Sequence, residues 1–267
     1  MSEQRLSPAR KLYLQQRKRE QITVHILRIA LLLLLLGLWE LAGRKGWVDV
    51  FIVSSPGRVI RTLVNLWHSG DLLRHLGVSC YETVIGFTLG TLSGILIAVG
   101  LWWSKLASRI LDPYLVVLNA LPKTALGPIF IVWIGAGTGS IIAMTIAISV
   151  FVTILNMYAG FCSVDSEKLR LMQTLSATRG QTLRKLVLPA NTDTLFNTLR
   201  VNVGLSWVGV IMGEFLVSKA GLGYLIVYGS QVFNMDLVMA SVLLLACAAI
   251  LMYQLVQAAE RWWRSMT

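Results

Sequence analysis

Long apolar runs, each closed by charged or turn-forming residues, dominate the chain. The first occupies 24–43 and centres on Ile29-Ala-Leu-Leu-Leu-Leu-Leu-Leu-Gly-Leu38, with Trp39 and Trp47 towards one edge. A helix needs about 20 mainly apolar residues to cross roughly 30 Å of hydrocarbon, and this run is long enough. The second run is 81–103, with no charge between Glu82 and Lys105. A charge-free stretch then extends from Thr124 to Val164, about twice what one crossing requires. Gly135-Ala-Gly-Thr-Gly-Ser140 interrupts it as a hairpin tip would, giving crossings at 112–135 and 139–159. The fifth, 195–218, is less apolar and contains Glu214; the sixth, 237–260, carries no charge before its last residue. The pattern predicts an all-α integral membrane protein with six transmembrane helices.

Composition agrees. Of 267 residues 55% are hydrophobic and only 14% charged, against about 25% charged in a soluble domain. Cys80, Cys162 and Cys247 lie in or beside apolar runs, where a cysteine packs as a small hydrophobe. The basic tail 1–23 ahead of the leucine run has the outline of a signal peptide. It is long, however, and no small-x-small cleavage site follows, so 24–43 is expected to remain as a crossing.

The net charge of +11 would suggest nucleic acid in a soluble protein. Here it sorts by side of the membrane. With 1–23 cytoplasmic, the segments 1–23, 104–111, 160–194 and 261–267 hold fifteen lysines and arginines, and the opposite segments hold six. The positive-inside rule therefore places both termini in the cytoplasm. The basicity is topology, and no nucleic-acid partner is expected.

Two connections are long. In 44–80, the apolar positions of Arg58-Val-Ile-Arg-Thr-Leu-Val-Asn-Leu-Trp67 recur at near-helical spacing, which predicts an amphipathic helix on the outer surface. His68 and His75 have no acidic or cysteine neighbours at ligand spacing and are expected to be solvated. In 160–194, Asp165 or Ser166 suits a helix cap, and Leu169, Met172 and Leu175 follow at three-residue spacing. After Gly180 the stripe resumes at Leu183, Leu186 and Val187, and Pro189 is expected to stop it. Two short amphipathic helices with a break near 176–180 should result. Their apolar stripe calls for a surface: the chain's own helices, membrane lipid or a cytoplasmic partner.

Inside the apolar runs, Gly86, Gly90 and Gly94 form a stripe that lets helices approach closely. Pro122, Lys123, Gly127 and Pro128 should kink the third crossing. Lys123 sits roughly 16 Å from its cytoplasmic start, either on a translocation path with Pro122 or as a paired or snorkelling amine. Glu214 faces a pathway or caps the adjacent turn. No phosphate-binding Gly-x-x-x-x-Gly-Lys-Ser/Thr loop, catalytic set, metal-spaced histidines or paired membrane carboxylates emerge from the sequence. The chain is expected to bind no cofactor or metal and to have no catalytic residue.

One segment is familiar. Leu175-Ser-Ala-Thr-Arg-Gly-Gln-Thr-Leu-Arg-Lys-Leu-Val-Leu-Pro189 resembles the cytoplasmic coupling motif of type I ABC importer permeases: Glu-Ala-Ala, three residues, Gly, nine residues, Ile-x-Leu-Pro. Counting back from Leu188-Pro189, Leu186 takes the Ile place and Ser176 the Gly place; Arg170, Leu171 and Met172 stand where Glu-Ala-Ala would be. The stretch from Leu121-Pro-Lys-Thr to Gly135-Ala-Gly, together with Gly213-Glu-Phe, Ala220-Gly-Leu-Gly-Tyr-Leu, Ser55-Pro56 and Ile85-Gly-Phe87, looks like the nitrate, taurine and sulfonate branch.

The resemblance covers about residues 50–260 and implies a type I ABC importer transmembrane domain at 73–257 in a bacterial plasma membrane. It implies a homodimer, a cytoplasmic ATPase dimer carrying ATP and Mg on its own subunits, and an extracytoplasmic solute-binding protein. The ATPase would dock at Leu175, Ser176, Ala177 and Gly180, with Leu186, Leu188 and Pro189 closing the coupling segment. The cargo would be a small sulfonate, taurine or nitrate-like anion, or alternatively a pyrimidine or thiamine precursor. An ion-coupled carrier fits less well, because the chain shows no evident internal repeat and few ionisable groups in its apolar runs. A membrane-embedded enzyme fits less well again, for want of a catalytic set.

Overall fold

A computed structural model describes residues 8–266. Arg5 of the expected basic tail lies outside the described residues, as do the side chains of Arg10, Lys11 and Lys18. The chain divides into two compact units, 1–62 and 63–267.

In the first unit, α1 (Pro8–Arg44) carries the leucine run. The short α2 (Val50–Val53) starts at Asp49, whose carboxylate accepts from the Phe51 N–H at 2.9 Å. Glu40 accepts from Arg44 Nε at 2.8 Å and from the Gly57 N–H at 3.0 Å. The latter fastens the start of α3 (Pro56–Ser69). This is the amphipathic helix expected within 44–80.

The second unit holds the remaining helices. α4 (Asp71–Trp103) is followed by α5 (Lys105–Ala120), a 3₁₀ turn over Lys123–Leu126 and α6 (Gly127–Ile134). Next come α7 (Thr138–Cys162), α8 (Ser166–Thr174) and α9 (Arg179–Thr182), then a π turn over Leu183–Val187 and α10 (Leu188–Ala190). α11 (Thr192–Val217), α12 (Leu222–Gln231) and α13 (Met235–Met266) complete the chain.

Among the described residues five helices are long and apolar enough to cross a membrane: Arg19–Arg44 within α1, then α4, α7, α11 and α13. The segment expected as one kinked crossing over 112–135 is a bent pair, Lys105–Ala120 and Lys123–Ile134, meeting at 91°; counted as one span it is the sixth. Pro122 causes the break. It forces Leu121 into an extended conformation (φ −64°, ψ 138°), as residues before proline require. Pro113, inside α5, is tolerated without a break.

The core is the triple α4–α7–α11. α7 lies between two glycine faces, and both contacts are closer than side chains normally allow. A Cβ on Gly86 would fall 2.5 Å from Thr145 Cγ2, and one on Gly94 2.5 Å from Thr153 Cβ; one on Gly90 would collide with Ser149 Oγ. From the other side, a Cβ on Gly209 would lie 2.7 Å from the Thr145 backbone, and one on Gly213 3.0 Å from Ile141. The hydroxyls at these contacts turn back onto their own helix. Thr145 donates to the Ile141 carbonyl at 2.9 Å, Ser149 to Thr145 at 3.0 Å and Thr153 to Ser149 at 2.8 Å. Their polarity is thus satisfied without widening the interface. Asn202 on α11 joins all three helices, donating to Thr91 Oγ1 at 2.9 Å and Thr153 Oγ1 at 2.7 Å. Around this core, Leu96, Leu106, Leu251 and Leu255 stay more than half exposed. That is the apolar surface hydrocarbon requires.

The backbone contact at Gly209 makes a specific demand. Gly209→Ala should lower the thermal stability of the purified chain by about 1–3 kcal/mol. Gly204→Ala, on the same helix with nothing within 4 Å of its Cβ position, should not lower it. Equal midpoints for the two variants in a thermal-shift measurement would contradict this packing.

Candidate functional site

The segment 160–194 folds as a helix–elbow–helix. Asp165 caps α8, accepting from the Glu167 N–H at 2.9 Å. At its other end the backbone closes a Schellman motif: the Ala177 N–H bonds the Met172 carbonyl at 3.0 Å and the Ser176 N–H bonds Gln173 at 2.9 Å. This motif places one residue in the left-handed region, usually a glycine. Here it is Ser176, at φ +52°. Thr178 then caps α9 in a reciprocal box with Gln181, their bonds running 3.3 and 2.8 Å. The break expected near 176–180 is therefore a turn of two residues between two capped helices.

Pro189 does not stop the second helix as expected. The backbone widens into the π turn just before it, and α10 continues through it. Proline supplies no N–H, and π turns of this kind accommodate such a gap. The true interruption is at Asn191 (φ −105°, ψ 17°), whose side chain donates to the Val187 carbonyl at 2.9 Å.

Two anchors hold the elbow to the bundle. Arg179 Nη1 donates to the Trp103 carbonyl at 2.9 Å, at the end of α4. Val187 is fully buried against Ala98, Met157 and Phe161, with Leu169 and Leu183 packed alongside; burying such a side chain contributes about 1.5–3 kcal/mol. Leu171 and Leu175 remain 60% and 68% exposed. The stripe thus divides: its deeper members lie on the chain's own helices and Leu175 is left uncovered, with Leu171, outside the stripe, uncovered beside it. Leu186 is half-buried, while Leu188 and Pro189 are exposed.

At this same end, Glu260 of α13 pairs with Arg200 of α11 and with Arg264 at 2.9 Å. Arg264 also reaches Asp193 at 2.7 Å.

At the opposite end of α11 the polar groups converge on the start of α12. Glu214 accepts from the Gly223 N–H at 2.5 Å, from the Tyr224 N–H and from the Ser79 hydroxyl at 2.5 Å. Ser79 Oγ accepts from the Leu222 N–H at 2.7 Å. His75 Nδ1 accepts from the Gly221 N–H at 2.9 Å, its ring stacked on Tyr224 at 5.8 Å. Four N–H groups at a helix start thus find side-chain acceptors, with a carboxylate at the positive end of the helix dipole. Of the two roles open to Glu214, this is the geometry of a cap. The glycines follow from it, since a Cβ on Gly221 would sit on the Glu214 carboxyl and one on Gly223 2.8 Å from its Cβ.

His75, expected to be solvated, is buried. Glu82, which drew no attention in the sequence, packs its carboxyl against Glu214. No paired carboxylates are expected in the membrane from the sequence; the structure makes a pair, because α4 and α11 are neighbours across the core. Lys123 stays at the α5–α6 break, its Nζ donating to the Asn119 carbonyl at 2.7 Å and to Asn119 Oδ1 at 3.1 Å. Those contacts cap α5. The coupling residues, Lys123 with Pro122, and Glu214 form three separate groups.

The sequence family described as the binding-protein-dependent transport system inner membrane component matches residues 90–265. The chain belongs to this family. It is the permease subunit of an ATP-binding-cassette importer, in which ATP is hydrolysed by a separate subunit. A candidate aliphatic sulfonates transport permease of Bacillus subtilis, SsuC, is 29% identical over 85% of this chain and 82% of its own. A formylaminopyrimidine transport permease of Halalkalibacterium halodurans, ThiX, is 30% identical over 72% and 76%. The Escherichia coli taurine transport system permease TauC is 25% identical over 88% and 87%. Among solved structures, the inward-facing MetNI methionine ABC transporter aligns with TM-score 0.64 over 73% of this chain and 96% of that chain, at 17% identity. A bacterial alginate importer aligns with TM-score 0.65 over 94% and 98%, at 15% identity. These two show the fold.

In this permease a serine occupies the left-handed position at 176, at a cost of about 1–2 kcal/mol relative to an unstrained residue. Ser176→Gly should slow hydrogen exchange at the Ser176 and Ala177 amides and raise local stability by up to about 1 kcal/mol. Faster exchange at those two amides would show that Ser176 carries no strain.

Proposed function

We propose that the permease carries a small organosulfonate, taurine being the simplest candidate, through a path formed with a second copy of itself. The observation that carries the drive mechanism is the exposed pair Leu171 and Leu175 on an elbow that is otherwise capped and anchored. An ATPase dimer docks there, on the cytoplasmic face. A binding protein delivers the solute to the opposite face, and both termini lie on the ATPase side, in the plasma membrane of a bacterium. Two relatives named for aliphatic sulfonates and taurine support this cargo class. A formylaminopyrimidine-type precursor is the second reading, supported by ThiX.

Mechanically, nucleotide-driven closure of the ATPases presses the elbow. Arg179 and Val187 pass that displacement to α4 and α7, and the glycine-packed triple carries it across the membrane. The two states are biased by a ligand bound on another subunit. The bent pair α5–α6 packs beside the triple, and Pro122 and Lys123 at its break line the path. There the Lys123 ammonium offers an anion a counter-charge.

Leu175→Glu should abolish co-purification of the ATPase while leaving membrane insertion intact; undiminished ATPase recovery would remove the elbow as the docking site. In proteoliposomes containing permease, ATPase and binding protein, labelled taurine should accumulate only with ATP. Accumulation of a formylaminopyrimidine instead would transfer the assignment to the second reading.

A further inference from the structure

The carboxyls of Glu82 and Glu214 meet in the interior, the residues 1% and 2% exposed. Their surroundings differ. Glu214 is fully supplied with donors: the Ser79 hydroxyl and the Gly223 and Tyr224 N–H groups, at the positive end of α12. These donors and the helix dipole favour a carboxylate there, against its burial. Glu82 has the Thr138 hydroxyl within reach, yet its Oε2 is buried with no hydrogen-bond partner. Its other polar neighbour is the Glu214 carboxyl, which as a carboxylate only accepts. Two acceptors placed face to face away from water repel and leave each other unsatisfied.

A single proton resolves both problems. On Glu82 it removes one of the two charges and turns an orphaned acceptor into a donor, and Glu214 is the acceptor within reach. We propose that Glu82 and Glu214 form a proton-binding site, with Glu82 the carboxylic acid and Glu214 the carboxylate. The bound proton closes the turn between α11 and α12 onto α4. The other titratable groups near the pair are His75 and Cys80 on α4 and Tyr224 on α12. His75 already accepts from Gly221, so it is no competing acceptor at Nδ1. A monovalent or divalent cation bridging the two carboxylates is the rival occupant, and the test separates them.

The full-length chain in lipid nanodiscs, labelled with ¹³C-glutamate, should show the infrared C=O stretch of a protonated carboxylic acid at neutral pH. The band should shift with the label, shift again in D₂O and vanish in Glu82→Gln. The amide N–H of that variant replaces the acid O–H, so its thermal midpoint should match the wild type, while that of Glu82→Ala falls. Absence of the band in the wild type would overturn the proposal even if neither variant folded. So would a midpoint for Glu82→Gln as low as for Glu82→Ala. A wild-type midpoint that rises with added Na⁺ or Ca²⁺ and falls on its removal would identify a cation in place of the proton.

Discussion

Everything in this bundle depends on how closely α7 approaches its two neighbours. Glycines at 86, 90 and 94 on one side and at 209 and 213 on the other let Thr145, Ser149 and Thr153 sit against bare backbone. In hydrocarbon there is little hydrophobic gain from pressing one apolar helix on another, so close packing supplies the association. Closeness has a condition, which is that the hydroxyls pressed against bare backbone find acceptors without water. The three hydroxyls meet it by donating to carbonyls four residues back on α7 itself. Asn202 then ties the triple together with two side-chain bonds. A core built this way tolerates little internal sliding and moves, if at all, as one piece.

Both ends of that piece are fastened by helix caps. At one end the Schellman turn at Ser176 and the capping box at Thr178 make the elbow a defined object, and Arg179 and Val187 fix it to the ends of α4 and α7. At the other, Glu214, Ser79 and His75 receive the first N–H groups of α12. Besides the hydroxyls and Asn202 of the core, polar side chains thus gather at these two ends, where backbone would otherwise be unsatisfied. A force applied at the elbow has a continuous, well-bonded route to the far end, which is what an importer subunit without its own ATP site requires.

Local pattern carried much of this. The apolar runs marked the spanning helices, Gly86, Gly90 and Gly94 marked a packing face, and the spacing back from Leu188-Pro189 put Ser176 at the position where the elbow takes its left-handed residue. What the sequence could not display were pairings between distant segments. His75 looked solvated because its acceptor role depends on Gly221, and Glu82 looked incidental because its neighbour is Glu214. In the third crossing Pro122 marks the kink, but hydropathy is blind to backbone direction and does not show that the turn there reaches 91°. Pro189 has the look of a stop, yet a π turn absorbs its missing donor and the helix runs one residue past it.

The most direct test is a distance within one chain. Spin labels at Lys168→Cys on α8 and Val84→Cys on α4, both exposed positions outside the docking pair, would be placed in one copy only of the permease, in a background carrying Cys80→Ala, Cys162→Ala and Cys247→Ala. Pulsed electron–electron resonance on the assembled transporter would then compare the nucleotide-free and ATP-trapped states. An elbow that moves with the bundle as one body predicts a single narrow distance, unchanged between the states. A shift or broadening on trapping, with the elbow swinging against α4, would contradict it.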